Sequence, residues 1–122
     1  MSQKILVVDD EESIRLLYQE ELEDEGYHVK TAASAEEALE IVPDFHPDLV
    51  IMDIKMPGMS GVEALIKIKE MDRNIPVILC SAYGEYKQDF STWASDAYVV
   101  KSANLNELKK HIRTILDPET AS

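Results

Sequence analysis

The chain has one cysteine, Cys80, among its 122 residues. That rules out an internal disulfide and suits a reducing compartment. Long apolar runs are missing as well. Ile5–Val8, Leu49–Met52 and Val77–Cys80 fall far short of the ~18 residues of a membrane-spanning helix. The opening "MSQKILVVDD" lacks the extended apolar stretch of a secretory signal. These shortages lead us to expect a cytoplasmic protein with no membrane attachment. Basic residues are scarce: 12 Lys and Arg stand against 24 Asp and Glu, a formal net charge of −12. Such a surface repels phosphate backbones, so direct nucleic-acid binding is not expected. No GxGxxG or GxxxxGK[ST] loop is present, which argues against nucleotide binding. His28, His46 and His111 have no metal-ligand spacing, and none is assigned to chemistry.

What is present suffices for one domain. Hydrophobic residues make up 45% of the chain, enough for a core, and we expect a single domain over 1–122, with its core at about 4–116 and a tail at 117–122. Short β-branched runs read as strands: Ile5–Val8, Leu49–Met52, Val77–Cys80, Tyr98–Val100 and, more exposed on one face, Tyr27–Ala32. Helical periodicity lies between them. Ile14, Leu17, Tyr18 and Leu22 form one stripe of a helix from about Glu11 to Glu25, ended by Gly26. "SAEE", "SGVE" and "NLNE" place Ser34, Ser60 and Asn104 as capping residues three positions ahead of Glu37, Glu63 and Glu107. The stripes that follow are Ala38, Leu39, Val42; Val62, Leu65, Ile66; and Leu105, Leu108, Ile112, Ile115. Pro43 and Pro118 are expected to stop the first and last of these helices. A short helix is expected within Gly84–Ser95, where Phe90 and Trp93 read as packing residues. Met52, Met56, Met59 and Met71 read as core or loop packing, and Cys80 as a small buried hydrophobe.

Strand and helix thus alternate through five units, which predicts a parallel sheet covered on both faces. With right-handed crossovers the natural architecture is a flavodoxin-like (βα)5 three-layer sandwich of strand order 2-1-3-4-5. Ligands of such sheets sit beyond the carboxyl ends of the strands. The residues there are Asp9-Asp10 after the first strand, Asp53 after the third, Ser81 after the fourth and Lys101 after the fifth. Each alone has an ordinary explanation as a turn, cap or surface residue, Asp10 as a cap of the first helix among them. Together they place three carboxylates, a hydroxyl and an ammonium on one edge. Two carboxylates about 4 Å apart repel by roughly 4 kcal/mol near a protein surface, so a counter-charge is needed. Oxygen ligands without histidine or cysteine suit a hard divalent cation, Mg2+ above all, which in turn awaits a phosphate. Lys101 would be the second positive group for that phosphate and Ser81 a neutral donor. Asp53, central and without an acidic neighbour in sequence, is placed to attack a phosphoryl group.

The segments "VVDDEESIR", "DLVIMDIKMPGMSGVE", "VILCSAYGE" and "AYVVKS" resemble the receiver domain of two-component response regulators, in order and spacing, from Lys4 to about Leu116. The likeness is strongest to single-domain phosphorelay receivers and nitrogen-regulator-type receivers. The resemblance implies Asp53 as phosphoacceptor, charged from a phosphohistidine on a sensor histidine kinase or histidine phosphotransfer protein. It implies Mg2+ bound directly by Asp10, through water by Asp9, and by Asp53 and the backbone carbonyl of Lys55. It implies Lys101 on the phosphoryl group, Ser81 moving toward it after transfer, and Tyr98 turning inward as the switch. Such a protein is a signalling module rather than an enzyme on an outside substrate, catalysing only its own phosphorylation and dephosphorylation. It acts on a downstream protein target or an output domain absent from this chain, through the face of the fourth helix, fifth strand and last helix, as a monomer or weak dimer.

Two departures mark this sequence. Lys101 is followed by Ser102 where receivers carry a proline after a cis bond, so the Lys101-Ser102 bond is open between cis and trans. The stretch from Ser81 to Lys101 is about two residues shorter than the pattern, which predicts a shortened fourth helix. Lys55 near the acids offers a further influence on phosphoryl lifetime. Rival readings are a degenerate receiver that only binds partners, and a small Mg2+-dependent phosphatase. The latter is opposed by Lys55 standing where a second acid/base aspartate belongs. A flavodoxin-like electron carrier is opposed by acidic "DDEES" after the first strand, where a flavin phosphate would need amides and hydroxyls.

Overall fold

The structure, a computed structural model, describes residues 3–82, 95–101 and 104–117. Strands β1 (Lys4–Val8), β2 (His28–Ala32), β3 (Leu49–Asp53), β4 (Val77–Ser81) and β5 (Ala97–Val100) alternate with helices α1 (Glu12–Asp24), α2 (Ala35–Phe45) and α3 (Gly61–Met71), and α4 (Asn106–Leu116) follows β5. All pairings are parallel and the order is β2-β1-β3-β4-β5, as the alternation predicted. The short helix expected within Gly84–Ser95, with Phe90 and Trp93, lies outside the described residues but for Ser95, as do the Lys101-Ser102 bond and Pro118.

Two apolar layers flank the sheet, one on each face. Leu6, Val8, Val50, Met52 and Leu79 pack with Ala38, Val42, Leu65 and Ile68 under α2 and α3. Ile5, Val7, Ile51, Cys80 and Val99 pack with Tyr18, Leu22, Leu108 and Ile112 under α1 and α4. The alternation of neighbours between the two layers is the strand period of two, and β1, β3 and β4 are central because both their faces are apolar. The edge strand β2 exposes His28 and Lys30, charge and polarity that discourage pairing with another chain.

Several local expectations are corrected. Pro43 does not stop α2, which continues to Phe45. A proline in the last turn removes one donor only, and the helix closes at His46, whose left-handed backbone (φ 52°) lets its N–H reach Val42 O at 3.0 Å. Ser34 and Ser60 do cap α2 and α3, accepting from Glu37 N (3.1 Å) and Glu63 N (3.2 Å). Asn104 does not bond Glu107: its side chain accepts from Asn106 N at 2.9 Å, and α4 starts one residue later than a capping box requires. Leu17 and Ile66 are exposed rather than part of the buried stripes, and Met71, read as core or loop packing, is exposed at the end of α3. Gly26 ends α1 with φ +97° as expected.

Candidate functional site

The carboxyl ends of the strands bring the predicted residues to one edge. Asp53 is the last residue of β3, level with Cys80 of β4, and Ser81 is level with Val100, one residue before Lys101. Backbone bonds continue past the strand ends and hold these levels: Ile54 N to Cys80 O (3.0 Å), Lys101 N to Ser81 O (2.7 Å) and Asp9 N to Ala32 O (3.2 Å). An open cleft of about 260 Å³ results, lined by Asp10, Glu11, Asp53, Lys55, Ser81, Ala82 and Lys101. A larger groove of about 460 Å³ between the ends of α2 and α3 lies away from this cluster, lined by Val42, Pro43, His46, Met71, Asp72 and Ile75.

Asp9, Asp53 and Ser81 are the polar residues buried here, at 2%, 5% and 2% exposure. Burying a carboxylate is costly unless it is paired, and Lys101 supplies the pairing. Its Nζ stands 2.6 Å from Asp9 Oδ2 and 3.3 Å from Asp53 Oδ1. Burial by itself would depress the lysine pKa, but the hydrogen bonds and charges of Asp9 and Asp53 outweigh it and raise it. For Asp53 the balance goes the other way. Burial, reinforced by the Asp9 charge, exceeds the help from Lys101 and lifts its pKa to about 6. Next to it, burial pushes the Cys80 thiol up to about 12, so it stays protonated and unreactive.

The two acids of the Asp9-Asp10 pair are treated differently. Asp9 is held at every polar atom: N by Ala32 O, Oδ1 by Glu11 N (2.9 Å), Oδ2 by Lys101, and its carbonyl by Arg15 Nη1 (2.8 Å). Asp10 is exposed, and among the described residues nothing bonds its carboxylate. It does not cap α1, whose N-cap is Glu11 without a side-chain bond. Oxygens of Asp9, Asp10 and Asp53 lie within 4.8 Å of one another. An all-oxygen set of this charge and spacing, with one arm free and open to the cleft, fits a hard divalent cation of the Mg2+ type. Lys55 is exposed at the cleft, and Tyr98 is half-buried against the α2–α3 layer.

Sequence reasoning missed three contributors. Glu11 lines the cleft, a position visible in retrospect as the residue following the acidic pair. Arg15 reaches back from α1 to Asp9. Gly61, the first residue of α3, lies so close to β3 that a Cβ would stand 2.1 Å from Asp53 O and 2.8 Å from Ile54 Cα.

Comparison with known proteins agrees with this geometry. The family model of the response regulator receiver domain matches residues 5–113. Sporulation initiation phosphotransferase F of Bacillus subtilis (strain 168) is 39% identical over 118 residues, covering 95% of both chains. Regulatory protein AtoC of Escherichia coli (strain K12) is 35% identical, and there the match covers 93% of this chain but 25% of the relative. Among solved structures, the response regulator TrrA of Thermotoga maritima in complex with Mg2+-BeF is 48% identical with a TM-score of 0.91, over 93% of this chain and 99% of that one. TrrA in complex with the histidine kinase ThkA matches with a TM-score of 0.89 at 48% identity, over 94% of this chain and 99% of that one.

Proposed function

The chain belongs to the response regulator receiver domain family, and on that premise we propose that Asp53 accepts a phosphoryl group from a phosphohistidine partner, a histidine kinase or a histidine phosphotransfer protein. The observation that carries this reading is the convergence of Asp9, Asp10 and Asp53 within 4.8 Å, with Lys101 against two of the three. Asp10, Asp53 and the carbonyl of Lys55 would hold Mg2+ directly, and Asp9 through water. When bound, Mg2+ neutralises phosphoryl oxygens and the acidic cluster together.

In the transfer, a carboxylate oxygen of Asp53 attacks phosphorus and the P–N bond to histidine breaks, its electron pair staying on the imidazole nitrogen. Lys101, anchored on Asp9, faces the oxygens that carry the charge. Ser81 lines the same cleft as a hydroxyl donor. Hydrolysis reverses the state: water attacks phosphorus, releases inorganic phosphate and returns the Asp53 carboxylate. The chain's own residues perform both steps, with no other substrate. The phosphorylated form would then bind a downstream protein or an output domain differently, with Ser81 and Tyr98 as the moving residues. We read 1–122 as one receiver domain in a cytoplasmic setting.

The test is incubation with a small phosphodonor and Mg2+, followed by intact-mass measurement. Wild type should gain one phosphoryl group, whereas Asp53→Asn and an EDTA-treated sample should gain none. A folded wild type that stays unlabelled would leave a receiver fold used only for binding. Turnover of a generic phosphate ester would instead favour the phosphatase reading.

A further inference from the structure

Arg15 raises a question of charge. The chain carries 24 acidic residues, and Arg15 sits in the first turns of α1 immediately behind the acidic edge. Yet among the described residues its guanidinium pairs with no carboxylate. Its Nη1 donates instead to the backbone carbonyl of Asp9 at 2.8 Å, while its own N–H holds Glu11 O at 3.1 Å in the first turn of the helix. A half-buried arginine among so many acids would reach a stronger partner if charge pairing decided its place.

The peptide that joins Asp9 to Asp10 explains the choice. A trans peptide is a rigid plane containing the Asp9 carbonyl and the Asp10 nitrogen and Cα. Fixing the carbonyl oxygen therefore fixes the origin from which the Asp10 side chain departs. Asp10 needs such an outside constraint, because among the described residues nothing bonds its carboxylate, whereas Asp9 is tied at N, Oδ1 and Oδ2. The last loose element of this corner is the peptide plane itself, and Arg15 holds it.

We propose that Arg15 is a positioning residue for the cation site: by holding the Asp9 carbonyl it sets the peptide plane that aims the Asp10 carboxylate into the cleft. This rests on the reading of Asp10 and Asp53 as cation ligands. It gives the binding of the ion an unusual sign. As a charge, Arg15 repels a divalent cation, so its loss would tighten binding. As a positioning group its loss weakens binding, because the free arm of the site is no longer pre-aimed.

The experiment is calorimetric titration of MgCl2 into wild type, Arg15→Met and Arg15→Lys, with circular dichroism to establish folding. Arg15→Met keeps the apolar stem and removes the fork, and should bind Mg2+ roughly tenfold more weakly, the lower end of the loss seen when groups behind metal ligands are removed. Arg15→Lys keeps the charge but exchanges a planar fork for a point donor, and should be weakened by a few-fold. Equal or tighter binding by folded Arg15→Met overturns the inference. If Arg15→Met does not fold, wild-type affinity in Arg15→Lys overturns it. Wild type that binds no Mg2+ overturns the cation-site reading itself, a result distinct from either.

Discussion

The ammonium of Lys101 stands closer to Asp9 than to Asp53, 2.6 Å against 3.3 Å. The lysine after the fifth strand is therefore anchored on the acid after the first, across two intervening strands of the sheet order. It leans on the central acid from there. Asp9 acts as the tether that holds a positive group beside Asp53.

Removing the lysine should expose this dependence. Lys101→Met leaves two buried carboxylates without their partner and should destabilise the metal-free protein by about 3 kcal/mol at pH 7. The loss should shrink at acid pH, where a proton replaces the lysine, and in millimolar Mg2+, where a cation does. Urea unfolding at pH 7 and pH 5, with and without Mg2+, measures it. A loss that is the same in all conditions would mean that packing, not charge, is at stake.

The raised pKa of Asp53 sets the pH behaviour. Its folded value of about 6 exceeds the ordinary carboxylate value of 3.8, so the folded state binds the proton more tightly than the unfolded one. The resulting stability is complete below the unfolded value and is lost as pH rises through about 6. At pH 7 the ionised Asp53 therefore costs on the order of 2–3 kcal/mol in the metal-free protein. Asp53→Asn should be more stable than wild type by roughly 2 kcal/mol at pH 7.5 and show no gain at pH 3.5. Thermal unfolding in EDTA across this range checks the sign.

The two glycines of the β3–α3 connection, Gly58 within it and Gly61 at the start of α3, should differ. Gly61→Ala drives a Cβ into the backbone of Asp53 and Ile54, so α3 must retreat. A cost of about 2–3 kcal/mol and a clear slowing of phosphodonor labelling are expected. Gly58→Ala meets only the carboxylate of Glu36, at 2.8 Å, together with a backbone at φ +80°. A side chain can move, so its cost should be near 1 kcal/mol with labelling retained. Equal labelling rates in both variants would dissociate α3 from the placement of Asp53.

Asp96 should act as a clasp on the strand before the cleft. One of its oxygens accepts from Val77 N at 2.8 Å and from Lys69 Nζ at 3.0 Å, joining the starts of β4 and β5 to the end of α3. Asp96→Ala leaves a backbone N–H without its acceptor and should cost about 1–2 kcal/mol. Amide exchange at Val77 should accelerate with it; an unchanged Val77 would show the bond to be dispensable.

The sheet and the acidic edge were legible because they depend on pattern and topology alone. Apolar runs with β-branched residues gave the strands, and a parallel order then forced Asp9, Asp10, Asp53, Ser81 and Lys101 to one end. What failed was angular and local. The helical period marked a stripe but not its width, so Leu17 and Ile66, next in sequence to the buried Tyr18 and Leu65, were drawn into the core. Pro43 reads as a stop, yet a proline in a final turn costs the helix a single bond and α2 runs on to Phe45. Arg15 and Gly61 went unnoticed because their importance lies in how closely a helix approaches a strand end, and no residue pattern encodes that distance. The resemblance already separates Asp10, on the ion, from Asp9, behind a water; the anchoring of Asp9 at its N, both carboxylate oxygens and its carbonyl is what no residue pattern carries.

The most direct measurement is chemical trapping of the phosphorylated residue. Protein treated with a phosphodonor and Mg2+ is reduced with borohydride, which converts an acyl phosphate to homoserine, and its peptides are sequenced by mass spectrometry. The account predicts homoserine at position 53, dependent on Mg2+ and absent in Asp53→Asn. Homoserine at position 9 or 10, or none at all in protein that is folded and carries Mg2+, would contradict it.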